Sequence, residues 1–373
     1  MMSRLFSPIS IARSLLLAMC FVLSTASVSA ATIKDVLGRN VEVSLPAKRV
    51  ILGFYAEDYM AIGTEKAFDN IVGISKDTWA VWRPASWKLY TNYRPSLDTI
   101  PDVGEVESQT FSIEKVIALK PDLIVLADWQ YKGLGFDADR LEDAGIPIVV
   151  LDYNAQTLER HLASTRIIGQ ITGQTERAET IASEYEHAIN QISDRIAKAD
   201  KPKPRIYIEF GNRGPSQHSF TYGKNMWGAM ANVAGGDNIA APFIEWWGPI
   251  NPEQVLASKP EIIVITGTES GKSSDAMLMG QNVDRADSEK RLKAFSGRAG
   301  WSQLPAIKNK KLYSAYQGAS RSITDYAMAQ YFAKIMYPEL FADINPEQTY
   351  LNFYKKYLPV VPKGTFTASA YGQ

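Results

Sequence analysis

Cysteine is nearly missing from this sequence: among 373 residues only Cys20 is one. It falls within residues 1–30, where Arg4 and Arg13 accompany a mostly apolar run, Ser14 to Leu23, and Val28-Ser29-Ala30 offers a small-residue cleavage site before Ala31. That pattern predicts a signal peptide, cleaved after Ala30. The apolar run is too short to span a bilayer. Leu17 to Cys20 makes a poor lipoprotein box, because bulky Met19 stands where a small residue is needed. The mature chain then has no cysteine, which excludes disulfides, thiolate metal sites and a cysteine nucleophile. Export without disulfides suits a periplasmic protein whose cores are large enough to need no cross-link.

Net charge is missing too. Lys and Arg number 40, Asp and Glu 40; losing Arg4 and Arg13 leaves 38 basic residues against 40 acidic. No basic field invites nucleic acid. Histidine is scarce: His161 and His187 lie in helical patterns and His218 in a loop. No H-E-x-x-H, no paired-histidine spacing and no G-x-S-x-G occurs, so neither a metallohydrolase nor a serine hydrolase has an anchor. Gly267 to Ser273 (GTESGKS) is one residue short of a phosphate loop and reads as a flexible loop. Beyond residue 30 no apolar run reaches membrane-spanning length.

What the chain does have is a long amphipathic helix between two copies of one phrase. In Thr175–Asp200, apolar residues fall at Ala178, Ile181, Ala182, Tyr185, Ala188, Ile189, Ile192 and Ile196, one stripe of a helix capped at Thr175. Before it, Ser112 to Leu126 reads SIEKVIALKPDLIVL; after it, Asn251 to Ile265 reads NPEQVLASKPEIIVI. Each copy is a short helix, a Lys-Pro break and a strand too apolar to face water. Strand–helix alternation elsewhere calls for parallel sheets. The predicted fold is α/β: two Rossmann-like lobes with central parallel sheets, residues 31–174 and 201–373, joined by one long helix, residues 175–200, with a ligand cleft between them.

In open α/β sheets ligands sit beyond the carboxyl ends of strands. Residues there include Tyr55, Trp129 with Tyr131, Arg213 with Tyr222, and Tyr316 leading to Arg321. Lys76 to Thr99 reads as an aromatic loop with Trp79, Trp82 and Arg83, and Trp246-Trp247 lies in the second lobe. Aromatic walls and forked arginine donors suit a bulky, anionic, partly aromatic ligand. Thr268 to Arg285 reads as a mobile loop, and the residues past Pro346 as a terminal helix and tail.

With these features the chain resembles the periplasmic substrate-binding proteins of iron-siderophore, haem and cobalamin ABC importers, the helix-linked class III type. The resemblance rests on Asp35 to Arg39 (DVLGR) before Pro46 to Ile51 (PAKRVI), the two P-[D/E]-x-I-V repeats, Gly235 to Asn238 (GGDN), and Gly300-Trp301 ahead of Leu304 to Asn309 (LPAIKN). It implies that Glu114 and Glu253, one per repeat, pair with arginines of the importer's two permease subunits. It implies a ligand between the lobes and a linking helix that limits hinge motion. The segments Lys76–Thr99 and Thr268–Lys293 are longer than the family's usual pattern.

The expected ligand is a ferric siderophore, with iron already chelated, no resident cofactor and no protein metal site. Haem, cobalamin, a nickel chelate or an oxyanion are alternatives on the same fold; for haem, Tyr55 or His218 would supply an axial ligand. A periplasmic enzyme would need a nucleophile–base pair or a metal site, and the sequence offers neither. A monomer is expected.

Overall fold

The computed structural model describes residues 29–271 and 273–372. The predicted signal peptide therefore lies almost wholly outside the described residues. The first strand, β1 (Ser29–Lys34), pairs antiparallel with β2 (Asn40–Leu45) across the Leu37-Gly38-Arg39 turn. Asp35 holds that turn by accepting from the backbone N–H of Leu37 and Arg39 and from the Arg39 guanidinium.

The first lobe is built on four parallel strands: β3 (Val50–Leu52), β4 (Ile71–Ile74), β5 (Leu123–Ala127) and β6 (Ile148–Leu151), in the order β4-β3-β5-β6. β5 and β6 are buried along their whole length, the mark of a sheet covered on both faces. Helices α1 (Ala56–Gly63), α2 (Pro84–Tyr93), α3 (Ser96–Thr99), α4 (Ile113–Ala118), α5 (Asp128–Leu134), α6 (Phe136–Asp143) and α7 (Leu158–Thr172) complete the lobe.

Helix α8 (Thr175–Ala199) follows, with Ala178, Ile181, Ala182, Tyr185, Ala188, Ile189 and Ile192 buried along one stripe. Its N-cap is Gln174 rather than Thr175: the Gln174 carbonyl accepts the first intrahelical bond, from the Ala178 N–H at 2.9 Å.

The second lobe holds β7 (Arg205–Phe210), β8 (Phe220–Tyr222), β9 (Asp237–Asn238), β10 (Trp247–Pro249), β11 (Ile262–Gly267), β12 (Gly280–Gln281), β13 (Leu312–Tyr316), β14 (Gly364–Thr365) and β15 (Thr367–Ser369). Its helices are α9 (Trp227–Val233), α10 (Pro252–Ser258), α11 (Arg285–Phe295), α12 (Pro305–Lys308), α13 (Tyr326–Met336) and α14 (Pro346–Tyr357). β7, β11 and β13 form a parallel centre, but the full sheet, β10-β8-β7-β11-β13-β15 with β9 paired to β7 off this path, is mixed. β8 and β15 run antiparallel to their central neighbours β7 and β13, and β10 antiparallel to β8, so the predicted terminal tail returns to pair with β13.

The two repeats match feature by feature. α4 and α10 are capped by Ser112 and Asn251, bury Val116 and Val255, and are followed by Lys120 and Lys259, both left-handed at φ 48° and 47°. That conformation reverses the chain just before Pro121 and Pro260 and feeds it into β5 and β11.

Two predicted loops are ordered. Lys76–Thr99 is helical: a π-helical turn at Asp77–Val81 precedes α2 and α3. In Thr268–Arg285, Ala276, Met277 and Met279 are fully buried, and Glu269 reaches into the first lobe, accepting from the backbone N–H of Ala85 (2.7 Å) and Ser86 (3.0 Å) at the start of α2.

Candidate functional site

Residues leaving the carboxyl ends of β5 and β6, with Trp82 and Glu107, meet three segments of the second lobe around a cleft of about 380 Å³. That is near the low end of the range for small-molecule sites, about 300–1,000 Å³. Trp82, Glu107, Asp128, Trp129, Lys132, Asp152 and Asn154 line it from the first lobe; Met226, Trp246, Trp247 and Arg321 line it from the second.

Phe54, two residues past β3, organises the aromatic wall. Trp82 and Trp129 meet its ring edge-on at 6.1 and 5.7 Å between centroids, and lie nearly parallel to each other at 6.4 Å. The Arg321 guanidinium sits 5.5 Å over the same ring, within the range of a cation–π contact. Trp246 and Trp247 are 38% and 47% exposed, at the rim.

Arg321 has φ 61° and is held from both sides of its loop. On one side Gln317 accepts from Tyr222 Oη (3.0 Å) and Trp227 Nε1 (2.8 Å). On the other the Ile323 N–H donates to Asp58 Oδ1 at 2.8 Å. Its own side chain makes no hydrogen bond or ion pair among the described residues, and its Nε is buried without a partner. Burial lowers the Arg321 pKa, opposed by Tyr222 and Tyr55 nearby. Trp129 Nε1 is likewise buried and unpartnered. Buried donors in folded proteins are nearly always bonded, so two open donors on one cleft are an invitation to a ligand acceptor.

The first-lobe wall is acidic but compensated. Asp152 accepts from the backbone N–H of Asn154 and Ala155 and from Arg160 Nη1 at 2.7 Å. Asp128 Oδ2 accepts from Lys132 Nζ at 2.7 Å, while its Oδ1 is buried without a hydrogen-bond partner. Partial burial, then the neighbouring Glu105, raises the Glu107 carboxyl above the usual range.

Of the sequence-predicted contacts, Trp82, Trp129, Trp246, Trp247 and Arg321 converge on the cleft. Tyr55 and Tyr222 lie behind it. The Tyr55 hydroxyl donates to Asn154 Oδ1 (2.8 Å) and accepts from the Tyr153 N–H (3.2 Å), and burial holds its pKa well above 10. It is a strut for the β6 turn rather than a free ligand. Trp79 is a core residue, 1% exposed, wedged among Phe68, Trp87 and Tyr90. Arg83 is committed to an ion pair with Glu57. Tyr131 packs outward against Arg39, whose guanidinium lies 4.2 Å from its ring centroid. Arg213 is exposed over the Phe220 ring, and Tyr316 donates to Glu269 Oε1 at 2.9 Å. Phe54, Glu107, Asp128, Lys132, Asp152, Asn154 and Met226 were not anticipated. Asp128, Asp152 and Asn154 stand directly past the ends of β5 and β6, so the strand-end rule points to them as well as to Trp129.

The histidines are not a site. His161 is fully buried and its ring nitrogens face Asp325 (3.0 Å) and the Thr157 carbonyl (3.1 Å). Burial alone would lower its pKa; Asp325 reverses this, and the net shift is upward. His187 is exposed on α8, and His218 lies 3.7 Å from Glu209. Among the described residues no group of three His, Cys, Asp or Glu side chains could hold a metal ion, and no helix is long and apolar enough to cross a membrane.

Glu114 and Glu253 occupy the first turns of α4 and α10. Both are exposed, Glu114 with 82% of its side chain in solvent.

The comparisons agree with this architecture. A periplasmic binding protein family model matches residues 51–317. A TroA-like periplasmic binding protein, FepB, from Veillonella parvula is 36% identical, with a TM-score of 0.84 over 91% of this chain and 99% of its own. The Haemophilus influenzae molybdate-binding protein MolA shares the fold at 19% identity and a TM-score of 0.66, over 89% of this chain and 99% of its own. A vitamin B12-binding protein of Yersinia pestis (strain Pestoides F) is 30% identical over 182 residues, 48% of this chain; the chain spans 61% of that relative's length. From the two-lobed fold, the interlobe cleft and the family match together, this chain belongs to the periplasmic binding protein family.

Proposed function

We propose that this protein captures a ferric siderophore in the periplasm and delivers it to an inner-membrane ABC importer. The carrying observation is Arg321: an arginine with no hydrogen-bond or ion-pair partner, buried at Nε, on a floor of Phe54, Trp82 and Trp129. Such a group is costly to leave unsatisfied and gains bonds when a chelate oxygen arrives. The tryptophans add flat apolar area for the ligand's organic part. With no carboxylate–histidine cluster at hand, iron arrives inside its chelate and remains there. The protein binds and hands on its ligand without transforming it. Affinity of roughly 10 nM to 1 μM, about −11 to −8 kcal/mol, lies within what a few desolvated aromatic and arginine contacts supply.

A corrinoid is the second reading, favoured by the likeness to vitamin B12-binding proteins. Tryptophan fluorescence of residues 31–373, titrated with ferric hydroxamate, catecholate and citrate chelates and with haem, cobalamin and molybdate, separates the two. Saturable quenching by a ferric chelate, weakened on the order of 10- to 100-fold by Arg321→Ala, is the expected result. Saturation by cobalamin alone would replace the siderophore reading and leave the fold assignment untouched.

A further inference from the structure

The cleft has an open acceptor as well as open donors, and this deepens the chelate reading on which it rests. Asp128 is buried on the cleft wall. Its Oδ2 is taken by Lys132, yet Oδ1 has no hydrogen-bond partner. The other cation in reach, Arg160, stands 4.0 Å from Oδ1 because its Nη1 is held at 2.7 Å by Asp152. A buried carboxylate oxygen accepts readily and is seldom left open. Trp129, beside it on the same wall, and Arg321, from the second lobe, carry donors without acceptors among the described residues. The charges in and beside the cleft also balance: Glu107, Asp128 and Asp152 against Lys132, Arg160 and Arg321. A site with no net charge gives little advantage to a strongly anionic ligand.

We infer that the natural ligand is a ferric chelate of low net charge that carries a pendant cationic N–H group, received by Asp128 Oδ1, while its chelate oxygens face Arg321 and Trp129. Linear tris-hydroxamates with a terminal primary ammonium have this chemistry; highly charged tris-catecholates do not.

The test uses one metal centre and two tails: a ferric linear tris-hydroxamate with a free terminal ammonium, and the same chelate N-acetylated. Affinities are measured by calorimetry on the mature chain. The wild type is expected to prefer the ammonium form by about tenfold or more, the worth of one charge-assisted hydrogen bond. Asp128→Asn should remove the preference, with folding checked by circular dichroism and thermal midpoint. Arg321→Ala should weaken both forms alike and keep the preference. Lys132 is largely exposed, so Lys132→Ala frees the second Asp128 oxygen without disturbing the core and should enlarge the preference. Equal wild-type affinities for the two forms, or a preference that survives Asp128→Asn, would overturn the inference while leaving the chelate reading standing. Binding of neither form, together with saturation by cobalamin or haem, would overturn both.

Discussion

Arg321 and Trp79 show how burial sorts residues of similar promise. Both were candidates for ligand contact, and both are drawn into the interior. Arg321 ends there without a hydrogen-bond or ion-pair partner, whereas Trp79 donates to Ser86 Oγ at 3.2 Å and is enclosed by aromatic edges. Opposite mutational signatures follow. Trp79→Ala should cost about 3–5 kcal/mol of stability, the penalty of a large core truncation. Arg321→Ala should leave the thermal midpoint unchanged or raise it, since a partly buried guanidinium without a carboxylate carries uncompensated desolvation. Trp246→Ala, at the rim, should shift stability by no more than about 0.5 kcal/mol while lowering affinity and quenching amplitude. Urea unfolding paired with fluorescence titration reads all three; a marginal Trp79→Ala phenotype would contradict its core role.

At the scale of elements, α1 presents Asp58 to the Arg321 loop of the other lobe. Burial, reinforced by Glu57, raises the Asp58 carboxyl to about 7, although the Ile323 N–H and Ser322 favour its charged form. Between about pH 4, where an unfolded aspartate ionises, and about 7, the folded state then binds one proton more than the unfolded. Stability due to this group therefore falls as pH rises through that window. Asp58→Asn stays neutral and keeps an oxygen for the Ile323 N–H. Its stability relative to wild type should be near zero at pH 4.5 and clearly positive at pH 7.5. Urea denaturation at the two pH values checks this, and an identical difference at both would contradict the assignment. Helix phase explains why Lys76–Thr99 reads as a loop in the sequence. Its aromatics do not follow a single apolar stripe, because the π-helical turn at Asp77–Val81 shifts the phase ahead of α2.

At the scale of the whole molecule, the lobes meet through polar contacts distant in sequence. Glu269 caps the start of α2, Asp325 binds His161, and the Met226 N–H donates to the Asn154 carbonyl. The repeats place Glu114 and Glu253 in equivalent exposed first turns, one per lobe, which fits a partner engaging both lobes. Glu114→Ala and Glu253→Ala should leave ligand affinity unchanged. Each should cost at most about 1 kcal/mol, the worth of a first-turn carboxylate. Both should reduce stimulation of the importer's ATPase in reconstituted vesicles; unaltered stimulation by the double variant would refute the docking role.

The sequence by itself determined the α/β class, the long helix, the paired repeats, and the strand ends that carry Trp129 and Arg321. These features are local: periodicity, capping and Lys-Pro breaks act within a few residues of one another. Only the tertiary structure decided that the second sheet is mixed, that Arg83 pairs with Glu57, that Tyr131 faces outward, that Asp128 and Asp152 belong to the cleft, and that Phe54 backs its aromatic wall. Those outcomes depend on which groups meet after two sheets are packed. The Asp58–Ile323 bond, for example, joins residues 265 positions apart. Whether a side chain ends as core, strut or contact is set by the partners it finds across such distances, and no local pattern encodes them.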